Sequence, residues 1–338
     1  MVEYGLFSLC DHLADPHTGL RPDQGLRLRD IAEQAEWAEA AGFDVFGVGE
    51  HHFSGYILPA PELLLTYAAA RTERIRLGTS VTLLANRDPV RYAEAFAVLD
   101  QLSDGRAEAT HARGVSAAAA QAFGMADFDE LRPRFEEYLR LVLRLLTEDE
   151  VTWSGEHRTP LEGVRIEPRP VQAPTDAMWI GGGLSTVSAD LAADLGLPFL
   201  LPSLFRWPED YREIVEHYRE RAEAQGNLGV ARVGFPSYVH VAPTTQQARA
   251  EWRPYFDNYV DFALDVRSSF GRPTDFESLL TGPVICGSPA EVTERVLEIN
   301  ELLGLDRQLF LMDIGGLPPT MLHSSLELLG EQVLPALR

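Results

Sequence analysis

The feature that most constrains the fold of this 338-residue chain is a regular alternation of two sequence patterns. Runs of apolar, β-branched or aromatic residues have the length of a β-strand, and each is followed by a stretch with the apolar spacing of a helix. Strands that alternate with helices in this way indicate a parallel sheet. The eight predicted strands are residues 4–9, 43–49, 75–83, 106–110, 177–181, 198–201, 233–241 and 308–314.

Eight strand–helix units in a chain of this length predict an α/β protein, a (β/α)8 TIM barrel that forms one domain over residues 1–338. A doubly wound sheet is the alternative. Two insertions interrupt the alternation. Residues 151–174 are rich in glycine and proline and predict an inserted loop or hairpin, whereas residues 265–287 show no clear period. Long connections in compact domains are often lids or binding loops, so we expect one or the other in these segments.

Two of the predicted helices carry clear signals at their ends. Asp88 and Pro89 predict an N-cap followed by proline in the first turn, and Gly105 ends that helix. Ser288 and Glu291 predict a capping box, in which the serine hydroxyl and the glutamate carboxylate each accept a hydrogen bond from a free backbone N–H.

The charge of the chain excludes some classes of partner. Asp and Glu number 51 and the basic residues, all arginine, number 29, so the formal net charge is −22. Nucleic acids and anionic membranes both require a basic face, so we expect neither as a partner. No apolar run reaches the roughly 18 residues that cross a bilayer, and the first residues do not resemble a signal peptide. We therefore expect a soluble cytoplasmic protein, with Cys10 and Cys286 as buried reduced thiols.

Ionisable residues follow the second predicted strand, at the end of a barrel where active sites lie. The segment reads Glu50-His51-His52-Phe53. Three interpretations are open: a histidine that acts as general acid or base, a metal-binding pair, or hydrogen-bonded loop residues. Neighbouring strand residues point to opposite faces, so His51 and His52 are poorly placed to share a metal, and we predict none.

Glycines and hydroxyl residues follow the fifth predicted strand and lead into a helix. Glycine lets the backbone approach a ligand, and a helix N-terminus offers free N–H groups to an anion. Arginine at the end of the fourth strand suits bidentate phosphate contact. A serine-capped turn and a surface ion pair are the alternatives. The residues of this predicted phosphate cradle are Arg113, Gly182, Gly183, Ser185, Thr186 and Ser188.

Taken together, these residues resemble the bacterial luciferase-like, flavin-dependent monooxygenase family. The resemblance runs in order along essentially the whole chain. The matching segments are residues 42–44, 50–53, 77–80, 88–91, 99–106, 113–114, 185–188, 196–198, 287–291 and 333–335.

The resemblance implies a barrel that binds FMN, which a separate flavin reductase supplies in reduced form. O2 would then form a C4a-peroxyflavin that oxygenates a small organic substrate, such as an intermediate of secondary metabolism. His51 would be the catalytic residue, moving a proton near the reactive flavin edge, and Glu50 would contact the cofactor or support its neighbours. Hydroxylation, Baeyer–Villiger insertion and epoxidation all stay open.

The resemblance also assigns the cofactor contacts. It implies a non-prolyl cis peptide at Ser80–Val81 under the isoalloxazine ring. The phosphate would be held by Arg113, Ser185 and Ser188, with Arg132 as a further helper; the ring and chain of the cofactor would be lined by Thr79, Ser80, Val81, Val115, Gly182, Gly183 and Leu184.

The chain departs from the family at two positions. Ala112 stands where some relatives have cysteine, and His111 stands where the family is usually apolar. His111 is a candidate substrate contact, or it bonds a neighbour. Two other functions stay open: an F420-dependent dehydrogenase or reductase of the same superfamily, and a non-catalytic flavin-binding accessory subunit. The pair Glu50-His51 favours FMN, and the presence of His51 disfavours the accessory subunit.

Family members are usually dimers through the helices beside the second and third strands. The apolar residues there predict a homodimer, although they would suit the barrel's own core equally well. They are Leu63, Leu64, Tyr67, Ala68, Tyr92, Phe96 and Leu99.

Overall fold

The computed structural model describes residues 1–53, 55–125, 127–202, 205–266 and 273–338. Its strands are β1 Glu3–Ser8, β2 Val45–Val48, β3 Arg76–Leu83, β4 Ala107–Ala112, β5 Val151–Trp153, β6 Leu161–Val164, β7 Met178–Gly181, β8 Phe199–Leu200, β9 Val233–Val241, β10 Val284–Gly287 and β11 Arg307–Leu311. Its helices are α1 Gln24–Ala41, α2 Pro61–Ala69, α3 Pro89–Leu102, α4 Ala117–Ala122, α5 Leu131–Thr147, α6 Pro174–Ala177, α7 Thr186–Leu195, α8 Arg212–Ala224, α9 Thr245–Val266, α10 Phe276–Leu279, α11 Pro289–Leu303, α12 Pro319–Leu328 and α13 Leu334–Leu337.

Eight parallel strands close into a barrel. The order around the ring is β11-β1-β2-β3-β4-β7-β8-β9, and β9 pairs back onto β11. Each of the eight strands predicted from the sequence corresponds to one strand of this ring. The closed ring confirms the (β/α)8 barrel and excludes the doubly wound sheet, which would have two free edges.

Two elements lie outside the ring. Strands β5 and β6 pair antiparallel within residues 151–174, as the hairpin prediction requires. Strand β10 was missed, and it pairs with the second half of β9 from Tyr238 to Val241. It follows Gly282 and Pro283 inside the segment 265–287, which shows no clear period, so no strand was predicted there. Of this segment, for which a lid or binding loop was predicted, residues 267–272 lie outside the described residues.

The helix ends only partly follow the prediction. Asp88 caps α3 by accepting hydrogen bonds from the N–H groups of Val90 and Arg91. The capping box was half wrong. Ser288 accepts from the N–H of Glu291 at 3.5 Å, but its own N–H donates to the Thr245 hydroxyl at 3.1 Å. The Glu291 carboxylate instead bonds side chains of α9, because this helix packs beside the cap.

Both cysteines are free and buried. Burial raises the pKa of Cys10 to about 12 and that of Cys286 further still, so both thiols stay protonated at neutral pH. The prediction of two reduced, buried thiols is therefore confirmed. None of the helices in the described ranges combines the length and the apolar character that a bilayer crossing requires.

A charged network fills the amino-terminal end of the barrel. The guanidinium of Arg307 on β11 donates to Glu108 on β4 and to Glu3 on β1, and it lies 4.4 Å from the ring centroid of Trp179. Burial would raise the pKa of Glu108, but the charges of Arg307 and Arg76 outweigh it and hold the pKa below its usual range. Four strands are thereby tied together at the end opposite the carboxyl termini of the strands.

Removing one partner of this buried network should destabilise the barrel. We expect Glu108→Ala to lower the free energy of unfolding by about 3–5 kcal/mol, because Arg307 is then left buried without its main counter-charge. Urea denaturation measures this change. The matched control is Glu94→Ala, which breaks the more exposed Arg91–Glu94 pair and should cost at most about 1 kcal/mol. Equal losses in the two variants would contradict the assigned importance of the network.

Candidate functional site

The candidate residues follow four neighbouring strands. Strands β2, β3, β4 and β7 are adjacent in the ring and parallel, so their carboxyl ends meet at one mouth of the barrel. The ends of β4 and β7 touch, since a Cβ on Gly181 would lie 3.5 Å from that of Ala112. The structure therefore brings segments 50–52, 79–81 and 182–185, together with Arg113, to one mouth.

Glu50 is the hydrogen-bonding centre of this mouth. Its carboxylate accepts from the N–H of Leu83 at 3.0 Å and from Nε2 of His52 at 2.8 Å. The guanidinium of Arg87 lies 2.9 Å from the same carboxylate and also bonds Glu62. Burial would raise the pKa of Glu50, but the His52 hydrogen bond and the Arg87 charge hold it below its usual range. An ionised Glu50 thus orients its neighbours, and both its oxygens already have protein partners.

His51 and His52 have different environments. His52 is held by Glu50 and packs against Phe123, with ring centroids 4.8 Å apart. His51 donates from Nδ1 to the carbonyl oxygen of Glu50 at 3.1 Å, because a carbonyl can only accept. Because Nδ1 carries the proton in this bond, the free lone pair of the neutral ring is on Nε2 of His51. That atom is shielded from solvent and has no hydrogen-bond partner among the described residues.

The protonation state of His51 follows from its burial. Burial lowers its pKa to about 4; the charge of Glu50 opposes this effect and His52 adds to it. The imidazole is therefore neutral at pH 7 and offers an unshared acceptor. A group in this state can take a proton or accept a hydrogen bond, and it is a poor proton donor.

The carboxyl end of β3 lies beside the segment that carries His51. The peptide bond Ser80–Val81 is cis, as the resemblance implied. The N–H of Glu50 donates to the carbonyl of Val81 at 3.2 Å, which ties the two strand ends together. Thr79 is buried, and its hydroxyl lies 2.7 Å from that of Thr82. Ser80 and Val81 are partly exposed at the mouth.

Two arginines lie close together beyond β4. Arg113 lies over the ring of Phe128 at 5.3 Å. Partial burial and the charge of Arg132 both lower its pKa, and Asp129 has a smaller, opposite effect. Nη1 of Arg132 is shielded from solvent and lacks a hydrogen bond within the described ranges, with Glu136 3.6 Å away. Two neighbouring guanidiniums and an unpaired N–H group form a place where an anion would be stabilised.

The N-terminus of α7 completes this cradle. Ser185 caps the helix and accepts a hydrogen bond from the N–H of Val187. Gly182 is packed so closely that an added Cβ would lie 2.5 Å from that of Ser188, whereas Gly183 faces open space. Leu184 is exposed. First-turn N–H groups without an intrahelical partner suit a phosphate, so the residues present fit a phosphorylated cofactor.

Other predicted contacts lie differently. Val115 is among the exposed apolar residues of the mouth. His111 is fully buried, and its Nε2 lies 2.8 Å from the Tyr92 hydroxyl of α3. Along β4 the side chains of Thr110 and Ala112 lie against Gly181, so the intervening His111 points to the opposite, helix-covered face. The interpretation of His111 as a substrate contact is therefore corrected: it bonds a neighbour.

Three residues of the site were missed. Arg87 follows β3, a position where any arginine could have been suspected, as Arg113 was. Tyr56 lies against His51, with ring centroids 3.8 Å apart, and its hydroxyl is 3.3 Å from that of Tyr259 on α9. No sequence pattern links residues so far apart. Within the described residues, no three His, Cys, Asp or Glu side chains form a group that could hold a metal ion.

Comparison with known sequences gives consistent matches. The sequence model of the luciferase-like monooxygenase family matches residues 2–307. Limonene 1,2-monooxygenase of Rhodococcus erythropolis is 27% identical, over 99% of this chain and 86% of that protein. 4-Hydroxyprotoasukamycin monooxygenase of Streptomyces nodosus subsp. asukaensis is 28% identical, over 84% and 80%. The oxygenase component of the flavin-dependent trigonelline monooxygenase of Acinetobacter baylyi is 21% identical, over 99% and 95%.

Solved structures share the fold along the whole chain. A monooxygenase of Streptomyces bottropensis superposes with a TM-score of 0.86 at 26% identity, covering 99% of both chains. The oxygenating constituent of 3,6-diketocamphane monooxygenase of Pseudomonas putida, in complex with FMN, gives 0.82 at 20% identity, over 99% and 98%. The F420-dependent tetrahydromethanopterin reductase of Methanopyrus kandleri gives 0.76 at 19%, over 100% and 99%. The last two similarities concern the fold alone.

The buried imidazoles make stability depend on pH. Burial lowers the pKa of both His51 and His111 to about 4, below the usual value of about 6.5 in an unfolded chain. As the pH falls, the unfolded state therefore binds protons at a higher pH than the folded state does. The stabilisation is present above about pH 6.5 and is lost as the pH falls towards 4.

Urea denaturation at pH 7.5, 6.0 and 5.0 measures this loss. We expect the stability of His111→Leu to change with pH by a smaller histidine contribution than that of the parent protein, because one of the two histidines with a lowered pKa is gone, whereas the raised pKa of Asp11 affects both proteins alike. The variant also removes one hydrogen bond of the Tyr92 hydroxyl, which keeps Thr82 as a partner, and this loss lowers stability at every pH without changing the slope. Identical slopes in the two proteins would refute the neutral, buried state of His111.

Proposed function

Because the chain belongs to the luciferase-like monooxygenase family and is on that ground a flavin-dependent monooxygenase, we propose that it is the oxygenase of a two-component system that uses reduced FMN. Reduced FMN supplies two electrons and activates O2, so that one oxygen atom enters a small organic substrate and the other leaves as water. One observation carries this proposal. The residues that suit an anion lie at the same mouth of the barrel as a neutral imidazole whose Nε2 has no hydrogen-bond partner among the described residues.

The cradle accounts for FMN rather than for a flavin without phosphate. Arg113 and Arg132 would bind the phosphate together with the N-terminus of α7, and Ser185 and Ser188 would line it. The backbone of Gly183 leaves room for the cofactor, while the close packing of Gly182 fixes the turn before it, and Thr79 to Val81 would carry the ring. The FMN complex of the Pseudomonas putida monooxygenase, which has the same fold, supports this choice.

His51 would act as a base in the proposed reaction. Its Nε2 can take a proton from a reacting group or hold a hydrogen bond to it, and the neutral state requires no prior deprotonation. Glu50, His52 and Arg87 orient the loop that carries it. The relative from Acinetobacter baylyi is named as an oxygenase component, which supports a separate reductase as the source of reduced FMN.

The proposal is tested by anaerobic titration of the protein with reduced FMN and, separately, with reduced F420. We expect reduced FMN to bind and to be reoxidised when O2 is admitted, whereas reduced F420 should not bind. Binding of F420 without binding of FMN would assign the protein to the dehydrogenase and reductase branch. Binding of FMN without faster reoxidation than in free solution would indicate an accessory subunit.

Comparing FMN with riboflavin separates the contact of the protein with the FMN phosphate from its contact with the flavin ring. We expect Arg113→Ala to weaken FMN binding by about 10- to 100-fold, the range for one charge-assisted contact. Binding of riboflavin, which lacks the phosphate, should not change. Arg144→Ala, on the far turn of α5 and paired with Glu148, is the matched control. Equal weakening for FMN and riboflavin would place Arg113 away from the phosphate.

We also propose a homodimer, through the exposed faces of the two helices that the sequence named for it. Most of the residues named for it belong to the core: Leu64, Ala68, Tyr92, Phe96 and Leu99. The opposite faces of the same helices are exposed, with Leu63 and Tyr67 on α2 and Val98 and Leu102 on α3. Residues four apart share a helix face, so each helix presents an apolar pair.

Sedimentation velocity tests the dimer. Leu63 is 75% exposed and Leu102 60% exposed, so charging both should leave the fold intact and separate the protomers. We expect the Leu63→Glu, Leu102→Glu double variant to sediment as a monomer. Leu297→Glu, at an exposed position of α11, should leave the dimer unchanged. A parent protein that sediments as a monomer would contradict the proposal.

A further inference from the structure

The loop after β2 places a tyrosine directly against His51. The rings of Tyr56 and His51 have centroids 3.8 Å apart and planes inclined by 62°. The backbone of Tyr56 is fixed opposite Asp11 in an isolated antiparallel bridge. Two hydrogen bonds flank that bridge, from the N–H of residue 12 to the carbonyl of residue 55 at 2.7 Å and from residue 57 to residue 10 at 2.9 Å. The tyrosine ring is therefore held in place independently of the histidine.

The hydroxyl of Tyr56 is held from a different element. It lies 3.3 Å from the hydroxyl of Tyr259, which is buried on α9. Burial raises the pKa of Tyr56 to about 12; the bond with Tyr259 opposes this effect and the charge of Asp11 adds to it. The phenol thus keeps its proton. Each hydroxyl can donate one hydrogen bond and accept others, so Tyr259 can donate to Tyr56 while Tyr56 donates onward.

We propose that Tyr56 is a positioning residue of this site: its ring fixes the His51 imidazole, and its hydroxyl, supported by Tyr259, donates a hydrogen bond to a carbonyl oxygen of the substrate. The proposal rests on the proposed function, since it assigns a carbonyl-bearing substrate to the same mouth. It adds a substrate class and two residues that no sequence motif indicated.

The ring is assigned its role because little else holds the imidazole. Its only hydrogen bond within the described residues is the one from Nδ1 to the Glu50 carbonyl, so the plane of the ring is set by packing. Tyr56 packs against the ring and contributes to its burial. The charged and titratable groups around the pair are Glu50 and His52 on the same segment, Asp11 after β1, Arg87 after β3 and Tyr259 on α9.

The hydroxyl is assigned its role by its neighbours. A substrate that reaches the His51 ring also meets Tyr56, because the two rings are in contact, and the phenol is a neutral donor at physiological pH. A carbonyl oxygen accepts from such a donor without any change of protonation. Phe262 packs against Tyr56 with ring centroids 5.0 Å apart, so the donor is set in an apolar wall. This combination suits a compact, largely apolar molecule with one carbonyl group.

Two substitutions separate the ring from the hydroxyl. Tyr56→Phe keeps the ring and removes the hydroxyl, whereas Tyr56→Leu removes both. Long-range 1H–15N NMR of the cofactor-free full chain gives the pKa and tautomer of His51 without any catalytic activity. We expect a pKa of about 4 in the parent protein and in Tyr56→Phe. In Tyr56→Leu it should rise by a unit or more, because water reaches the imidazole.

The same spectra contain their own control for folding. His111 is buried beside Tyr92, away from this loop, and should keep its low pKa in both variants. A His51 pKa in Tyr56→Leu equal to that of the parent, with His111 unchanged, would overturn the role of the ring. An equal rise in Tyr56→Phe would overturn it as well, because the ring is still present there.

The hydroxyl is tested with two probes that share a carbon skeleton. Carvone has a ring carbonyl and limonene lacks it. We expect equilibrium dialysis of the FMN-loaded protein to show about five- to tenfold tighter binding of carvone, the worth of one hydrogen bond. Tyr56→Phe should abolish this preference, and Tyr67→Phe, at an exposed position of α2, should keep it.

The outcomes distinguish this proposal from the proposed function. A preference for carvone that survives in Tyr56→Phe overturns the role of the hydroxyl, as does a parent protein that binds both probes equally or neither. Failure of the parent protein to bind FMN contradicts the proposed function instead, and it is detected by flavin fluorescence before any probe is added. The NMR result on His51 stands in either case.

Discussion

The hydrogen-bonded closure of eight parallel strands is the constraint on which the rest of this structure depends. One of the pairings that close the barrel is short: β8 has two residues, and it pairs with β9 at Phe199–Val233 and Leu200–Gly234. Because all eight strands are parallel, their carboxyl ends share one mouth. Segments of the chain more than 60 residues apart, such as those of His51 and Arg113, reach one site in this way.

Arginine has three distinct uses in this strongly acidic, lysine-free chain. Arg307 neutralises buried carboxylates at the amino-terminal end of the barrel, and Arg87 fixes Glu50 at the other end. Arg113 and Arg132 lie close together at the mouth. The first two uses stabilise the fold, and the third leaves positive charge available to an anion. The mouth therefore combines two neighbouring guanidiniums with a buried imidazole whose Nε2 has no hydrogen-bond partner among the described residues.

The sequence predicted the parts of this arrangement that depend on local pattern. Alternation located all eight barrel strands, and the Asp88-Pro89 signal located the start of α3. The resemblance located Ser80–Val81 and the strand ends. Contacts between distant segments could not be predicted. Tyr56 meets Tyr259 across about 200 residues of chain, and Glu291 bonds α9 rather than its own cap. Strand β10 follows Gly282 and Pro283 in a segment without a clear period. Of the two readings left open for His111, the structure shows the bond to a neighbour; residue type alone could not decide between them without its position on the outer face of β4.

The most direct test of the account is a crystal structure of the protein with FMN. The account predicts that the phosphate lies between Arg113 and the N-terminus of α7, that the ring rests on Ser80 and Val81, and that Nε2 of His51 faces the flavin. A flavin bound elsewhere, or one whose phosphate touches neither Arg113 nor α7, would contradict it.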